Sequence, residues 1–293
     1  MTTPRLRIQP CLDSDGRAKR CRDALDISRY DAQRLGWTAV QAAREGVYRD
    51  EDDSEVSIAE LVHEARAGAV SIRPDEPLPE PAARAFPVTT LQVRNETTLE
   101  AARALVEEGQ APLALNFANG VRPGGGFLVG ARAQEEVLCR SSALYVTLEG
   151  DPMYGAHRER STSDSTDWAI YSPSVPVFRT DDGTSLEEPW RLSFLTCAAP
   201  YAPSVGQPLS GDLLEKRIGR VLAIARAYGY SSLVLGAWGC GAFRNDPHRT
   251  AADFRAALEG PFAGAFEQVV FAIADWSAER RYLGPFRAVF AEG

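Results

Sequence analysis

Four short apolar runs constrain this 293-residue chain more than any other feature: APLALNFAN (111–119), LSFLTCAAP (192–200), SSLVLGAWG (231–239) and QVVFAIAD (268–275). Each is too short for a buried helix, and each breaks abruptly into polar or glycine-rich sequence. Runs of that length that do not alternate with polar residues read as strands buried on both faces. Amphipathic stretches lie between them. Thr97-Thr98-Leu99-Glu100 forms a capping box, with Gly109 as the stop. Leu214, Ile218, Val221, Leu222, Ala225 and Tyr228 recur at spacings of three and four, which predicts a helix over 212–228. With FPVTTLQVRN (86–95) as a further strand, the alternation implies an α/β sandwich with its sheet between helices. Ligands of such sheets bind in the loops beyond the carboxyl ends of the strands.

Residues 1–85 read differently. They are charged, rich in Ala, Arg and Gln, and without obvious strand runs. Tyr30, Leu35, Val40 and Val47 suggest an amphipathic helix ending near Gly46, and Ser57 to Ala67 a second helix. The five prolines of RPDEPLPEPAARAFP (73–87) rule out a helix interior and predict a surface linker. The expected organisation is thus an N-terminal helical extension, 1–85, followed by a core, 86–293. The polar segment 155–189 reads as a long surface loop or an insertion.

Several chemistries are excluded. The net charge is −8, and no basic stripe is visible, so binding along a nucleic-acid backbone is not expected. Only two of the 32 basic residues are lysines, Lys19 and Lys216, and there is no GxxxxGK[ST] loop, GxSxG elbow or HExxH helix. Three histidines and five cysteines without a CxxC offer neither a zinc site nor a disulfide framework, so no metal is expected. The N-terminus lacks the apolar stretch of a signal peptide and no run is long enough to span a bilayer. A cytoplasmic, monomeric protein without membrane contact and without a cofactor is the expectation.

Two loops carry candidate chemistry, and each follows a predicted buried strand. The first holds Asn119, then Gly124, Gly125 and Gly126, and leads to Gln134, Glu135 and Glu136. Three adjacent glycines let a backbone approach a ligand closely, and their N–H groups can form an anion-binding concavity. A flexible turn is the competing reading. Acidic residues in a first helical turn are commonplace because they complement the helix dipole. Adjacent residues do not share a helix face, however, so Glu135 and Glu136 should have different duties. The second loop runs from Gly236 through Gly239, Cys240, Gly241, Ala242 and Phe243 to Arg244. It lacks the third glycine of the dinucleotide fingerprint. Cys240 reads better as a small packed residue than as a nucleophile, because no histidine is placed to activate it. Together the loops suggest a diphosphate-binding cleft that holds a glycosidic or ester bond beside a carboxylate.

The strings NFANGVRPGGGF, GGG-x7-QEE (124–136), YSPSVPVFR (171–179), LTCAAP (195–200), LVLGAWGCGAFRNDP (233–247) and VVFAIAD (269–275) resemble the microbial-type branch of the poly(ADP-ribose) glycohydrolases from about Phe86 to Phe290. The resemblance implies a three-layer, macrodomain-like α/β/α core with a mixed sheet that binds ADP-ribose. It implies that Glu136 is the catalytic acid and Glu135 holds ribose hydroxyls, with Asn119 orienting the distal ribose and Phe243 packing beside it. It further implies that the GAWGCGAF loop surrounds the diphosphate, and that the partner is an ADP-ribosylated substrate. Tyr201 and Arg244 depart from the residues common in that family. The implied reaction is hydrolysis of ribose–ribose bonds, mainly from polymer ends, releasing ADP-ribose. A mono-ADP-ribosyl hydrolase and a non-catalytic ADP-ribose reader are the competing functions. A reader need not keep QEE.

Overall fold

The fold is given by a computed structural model that describes residues 5–80 and 86–291. Its strands are β1 (Arg5–Ile8), β2 (Val47–Arg49), β3 (Glu55–Ser57), β4 (Val70–Ile72), β5 (Val88–Arg94), β6 (Leu113–Ala118), β7 (Ala169–Arg179), β8 (Ser185–Ala198), β9 (Ser232–Leu235) and β10 (Gln268–Ala272). Its helices are α1 (Asp15–Leu25), α2 (Arg29–Glu45), α3 (Ala59–Ala67), α4 (Thr98–Glu107), α5 (Gln134–Ser141), α6 (Tyr145–Leu148), α7 (Pro152–Arg158), α8 (Ala202–Val205), α9 (Leu209–Ala227), α10 (Pro247–Glu259) and α11 (Leu283–Val289). Eight strands form one sheet, ordered β1-β5-β10-β9-β6-β8-β7-β4, and β2 pairs only with β3. The strands from β1 to β8 in that order run parallel, while β7 and β4 add in antiparallel fashion.

The apolar runs face both ways. Ala114, Val234 and Val270 pack with α2 to α7 on one side. Leu113, Leu115, Leu233, Leu235, Val269 and Phe271 pack with α9 to α11 on the other. Burial on both faces explains why these strands carry no polar alternation. The capping box forms as expected, with Thr97 and Glu100 each accepting the other's backbone N–H. Helix α2 stops at Gly46, whose φ of 73° ends it in the left-handed conformation. No described helix is long and apolar enough to cross a membrane.

Three expectations need correction. Residues 1–85 do supply helices, but they also supply strands. β1 and β4 are the two edges of the central sheet, so the segment is interleaved with the core. Such edges, RLRI and VSI, are too short to register as periodic runs, and Arg5 and Arg7 are exposed. Ser57 belongs to β3, and the second helix starts at Ala59. The segment 155–189 is no surface loop, because it contains β7, whose Val175, Val177 and Phe178 are buried. Its prolines hid it. Pro173 and Ser174 fall in a register shift against β8, where Ser174 has a φ of 49°, and a bulge absorbs residues a regular ladder would reject. Of the expected linker, residues 73–80 run without helix or strand, and 81–85 lie outside the described residues.

Candidate active site

The carboxyl ends of β5, β6, β8, β9 and β10 surround a cavity of about 400 Å³. Asn119, Gln134, Glu135, Glu136, Gly239, Gly241, Ala242 and Phe243 all line it, so residues of both loops meet at one site, while Gly124, Gly125 and Gly126 lie behind the carboxyls and do not line it themselves.

The glutamates divide as their helical positions require. Glu135 is buried, and its Oε2 accepts the Asn119 N–H at 2.7 Å. Its Oε1 is buried without a hydrogen-bond partner among the described residues. An acceptor left in that state is destabilising by about 1–3 kcal/mol. Burial pushes the Glu135 carboxyl well above the usual range, and the Asn119 N–H offsets part of that rise. Glu136 Oε1 accepts the Gly126 N–H at 2.9 Å, and its other oxygen makes no hydrogen bond among the described residues. One carboxylate is therefore anchored deep, and the other is held by one oxygen at the glycine loop.

That loop has to be glycine where it meets the acids. Gly125 has a φ of 58°, and a Cβ there would collide with Glu136 Oε1 and come within 2.8 Å of Glu135 Oε2. Asn119 Oδ1 accepts the N–H groups of Val121 and Arg122, which turns the chain out of β6. Gln134 is engaged within the protein: its Oε1 accepts the Phe117 N–H, and its Nε2 donates to Leu115 O and Thr98 Oγ1. It ties the start of α5 to β6 while also lining the cavity.

Two further expected contacts move inward. Gly236 does not line the cavity; a Cβ there would lie 2.6 Å from Ala272 O, so the glycine serves strand packing. Cys240 is 4% exposed, its thiol donates to Trp238 O, and burial pushes it up to about 12. Its side chain is packed within the loop. Phe243 is half-buried and meets Tyr201 edge-on at 5.8 Å. The cavity also takes Glu96, Thr98, Asp181, Trp238, Trp276 and Tyr282, which the sequence reading missed. Glu96 and Trp276 follow β5 and β10, so the strand-end rule could have found them. Asp181 sits in the turn after β7, in the segment misread as a loop. Its Oδ2 accepts from Thr97 Oγ1 and its Oδ1 is buried without a partner among the described residues.

The last turn of α7 clamps the first loop from behind. Thr166 N–H donates to His157 Nε2 at 3.1 Å, so Nδ1 carries the ring proton and donates to Gly120 O at 3.0 Å. Arg158 donates to the next carbonyl, that of Val121, at 2.8 Å. Burial holds His157 down to about 4 from 6.5. The unfolded chain therefore binds the proton more readily, and stability is lost as pH falls from about 6.5 to about 4. Thermal melts across that range should fall more steeply for the wild type than for His157→Gln, which keeps a donor and an acceptor but does not titrate. His157→Phe should lower kcat by about ten-fold through a loosened loop, with His157→Gln recovering most of it. Equal kcat for His157→Phe and the wild type would contradict the clamp.

The chain matches the family model for the microbial-type PARG catalytic domain over residues 37–180. No curated protein matches it in sequence. Among solved structures it is similar to poly(ADP-ribose) glycohydrolase from Thermomonospora curvata, at 39% identity and a TM-score of 0.81 over 89% of this chain and 99% of that one. The same Thermomonospora protein bound to the inhibitor ADP-HPD matches at 39% identity and a TM-score of 0.81, over 88% of this chain and 99% of that one. The Deinococcus radiodurans enzyme in complex with ADP-ribose matches at 41% identity and a TM-score of 0.72, over 80% and 98%. Likeness that extends over nearly the whole length of these proteins reaches well beyond the two loops, and by it this chain is a member of the microbial-type poly(ADP-ribose) glycohydrolase family.

Proposed function

We propose that this protein hydrolyses the ribose–ribose O-glycosidic bonds of poly(ADP-ribose), acting mainly on terminal units and releasing ADP-ribose. The observation that carries the reading is the division between two adjacent carboxyls at the cavity: one oxygen of Glu135 is buried without a hydrogen-bond partner among the described residues, and one oxygen of Glu136 makes no hydrogen bond among them. Glu135 Oε1 accepts a ribose hydroxyl and fixes the sugar. Glu136 donates its proton to the leaving oxygen as the glycosidic bond breaks through an oxocarbenium-like state. A water then attacks the same carbon, and Glu136 takes back one of its protons. The backbone N–H groups of the second loop supply donors for the diphosphate. Terminal attack is inferred from the net charge of −8 and the absence of a basic track that could hold an internal stretch of polymer. Five free cysteines, four of them buried, suit a reducing compartment, and we place the protein in the cytoplasm.

The test is incubation with labelled polymer and with mono-modified substrates, followed by product identification. Free ADP-ribose from the start of the reaction is the expected result. Long internal fragments at early times would reject the terminal mode, and intact polymer would reject the activity. Phe243 offers a second check. If it packs beside the ribose, Phe243→Ala should cut turnover about ten-fold or more while the melting temperature stays near that of the wild type. A core residue would instead lose ~3–5 kcal/mol of stability on the same change.

A further inference from the structure

Two arginines in the loops of the site have side chains without a partner among the described residues. Arg122 lies in the first loop, between Asn119 and the glycines, and Arg244 directly follows the cavity-lining Phe243 in the second. Both are exposed, and among the described residues neither guanidinium makes a hydrogen bond or an ion pair. Neighbouring arginines are committed: Arg132 donates to Asp26 and Ile27, and Arg158 to Val121 O. Arg244 also holds a φ of 56°, a left-handed conformation in which a residue with a Cβ is strained and glycine is not. A strained, unpaired cation in a binding loop points to a ligand-side use.

The topology brings the two together. In the sheet, β6 lies between β9 and β8. The loop after β9 crosses the end of β6 to reach β8: Ala202 N–H donates to Phe243 O at 3.0 Å, and Asn245 Nδ2 donates to Pro200 O at 2.9 Å. The loop after β6 leans to the same place, since Gly120 has Ala198 at its back. Arg122 and Arg244 therefore come from two neighbouring loops, three residues after the cavity-lining Asn119 and directly after the cavity-lining Phe243.

We propose that Arg122 and Arg244 form a second subsite outside the cavity that holds the diphosphate of the leaving unit, so that the protein prefers a leaving group that is itself a nucleoside diphosphate over a small uncharged alcohol. The inference rests on the glycohydrolase reading and adds what that reading leaves open, namely polymer against single adducts. Two guanidiniums from different loops match the two phosphates of one unit, and Arg binds phosphate in a geometry that Lys does not reproduce. In a protein of net charge −8, a local pair of unneutralised cations is also a steering site for a polyanion.

The experiment compares kcat/KM on poly(ADP-ribose) and on the methyl glycoside of ADP-ribose for the wild type, Arg122→Ala, Arg244→Gly and the double variant. The ratio of polymer to methyl glycoside should fall about five-fold for each single change and further for the double. The salt dependence of polymer cleavage should weaken by roughly one unit of log–log slope per phosphate contact removed. Arg244→Gly should melt at the wild-type temperature or above, because glycine accepts the observed φ, so its loss of preference is not a folding defect. An unchanged ratio in the double variant, or equal losses on both substrates, overturns the subsite. A wild-type protein that splits the methyl glycoside and leaves polymer intact overturns the polymer reading itself, and this inference with it.

Discussion

Glu136→Gln should abolish detectable turnover, a loss on the order of 100- to 10,000-fold, while ADP-ribose still binds within a few fold of the wild-type affinity. Glutamine keeps the size of the side chain and the acceptor that Gly126 N–H needs, at 2.9 Å in the native structure. It cannot give a proton to the leaving oxygen or take one from water. Glu135→Gln should behave differently. It removes a buried acid that burial pushes well above the usual carboxyl range, and it places an amide where Oε1 now lacks a donor. Sugar orientation should suffer, so binding and turnover fall together. Calorimetric titration with ADP-ribose and single-turnover rates on polymer separate the two. Near wild-type rates for Glu136→Gln would refute the mechanism.

Gly125→Ala should cost about 100-fold in turnover without touching a chemical group. The added Cβ would strike Glu136 Oε1 and crowd Glu135 Oε2, and the backbone φ of 58° already disfavours any residue with a Cβ. Either the carboxyls move or the loop does. A displacement of about 1 Å in the reacting constellation is enough for a loss of that size. Gly109→Ala is the control. It has a φ of 81° but nothing within 4 Å of its added Cβ, so it pays the backbone strain of ~1–2 kcal/mol alone. Gly109→Ala should lower the melting temperature and leave kcat near the wild-type value. Equal activity for Gly125→Ala and Gly109→Ala would show that the loop does not position the acids.

The residues differ in how far their roles could be read from the chain. Glu135 and Glu136 were separable in sequence because adjacent helical positions point apart, and the structure gives them different partners. Gln134 was not, because an amide that binds a ligand and one that pins α5 to β6 have the same sequence signature. Its partners, Leu115 O and Phe117 N–H, lie on another element. Cys240 and Gly236 sit among cavity-lining neighbours, yet their own side-chain positions face inward, and only the course of the loop decides that. Asp181 and the His157 clamp had no local signal at all.

What the sequence alone determined follows from local physics. Runs without polar alternation had to be buried on both faces, capping and glycine signals had to end helices, and three adjacent glycines before two acids had to be a loop that tolerates close approach. These depend on neighbours a few residues apart. What only the tertiary structure decided depends on pairing across long separations. Arg5–Ile8 and Val70–Ile72 become strands because β5 and β7 offer them open edges, and β7 takes Pro173 because a bulge against β8 accommodates it. The loops after β6 and β9 become one site because their strands are neighbours in the sheet although 119 and 236 are far apart in the chain. No periodicity encodes that adjacency; it arises from which apolar faces can be covered at once.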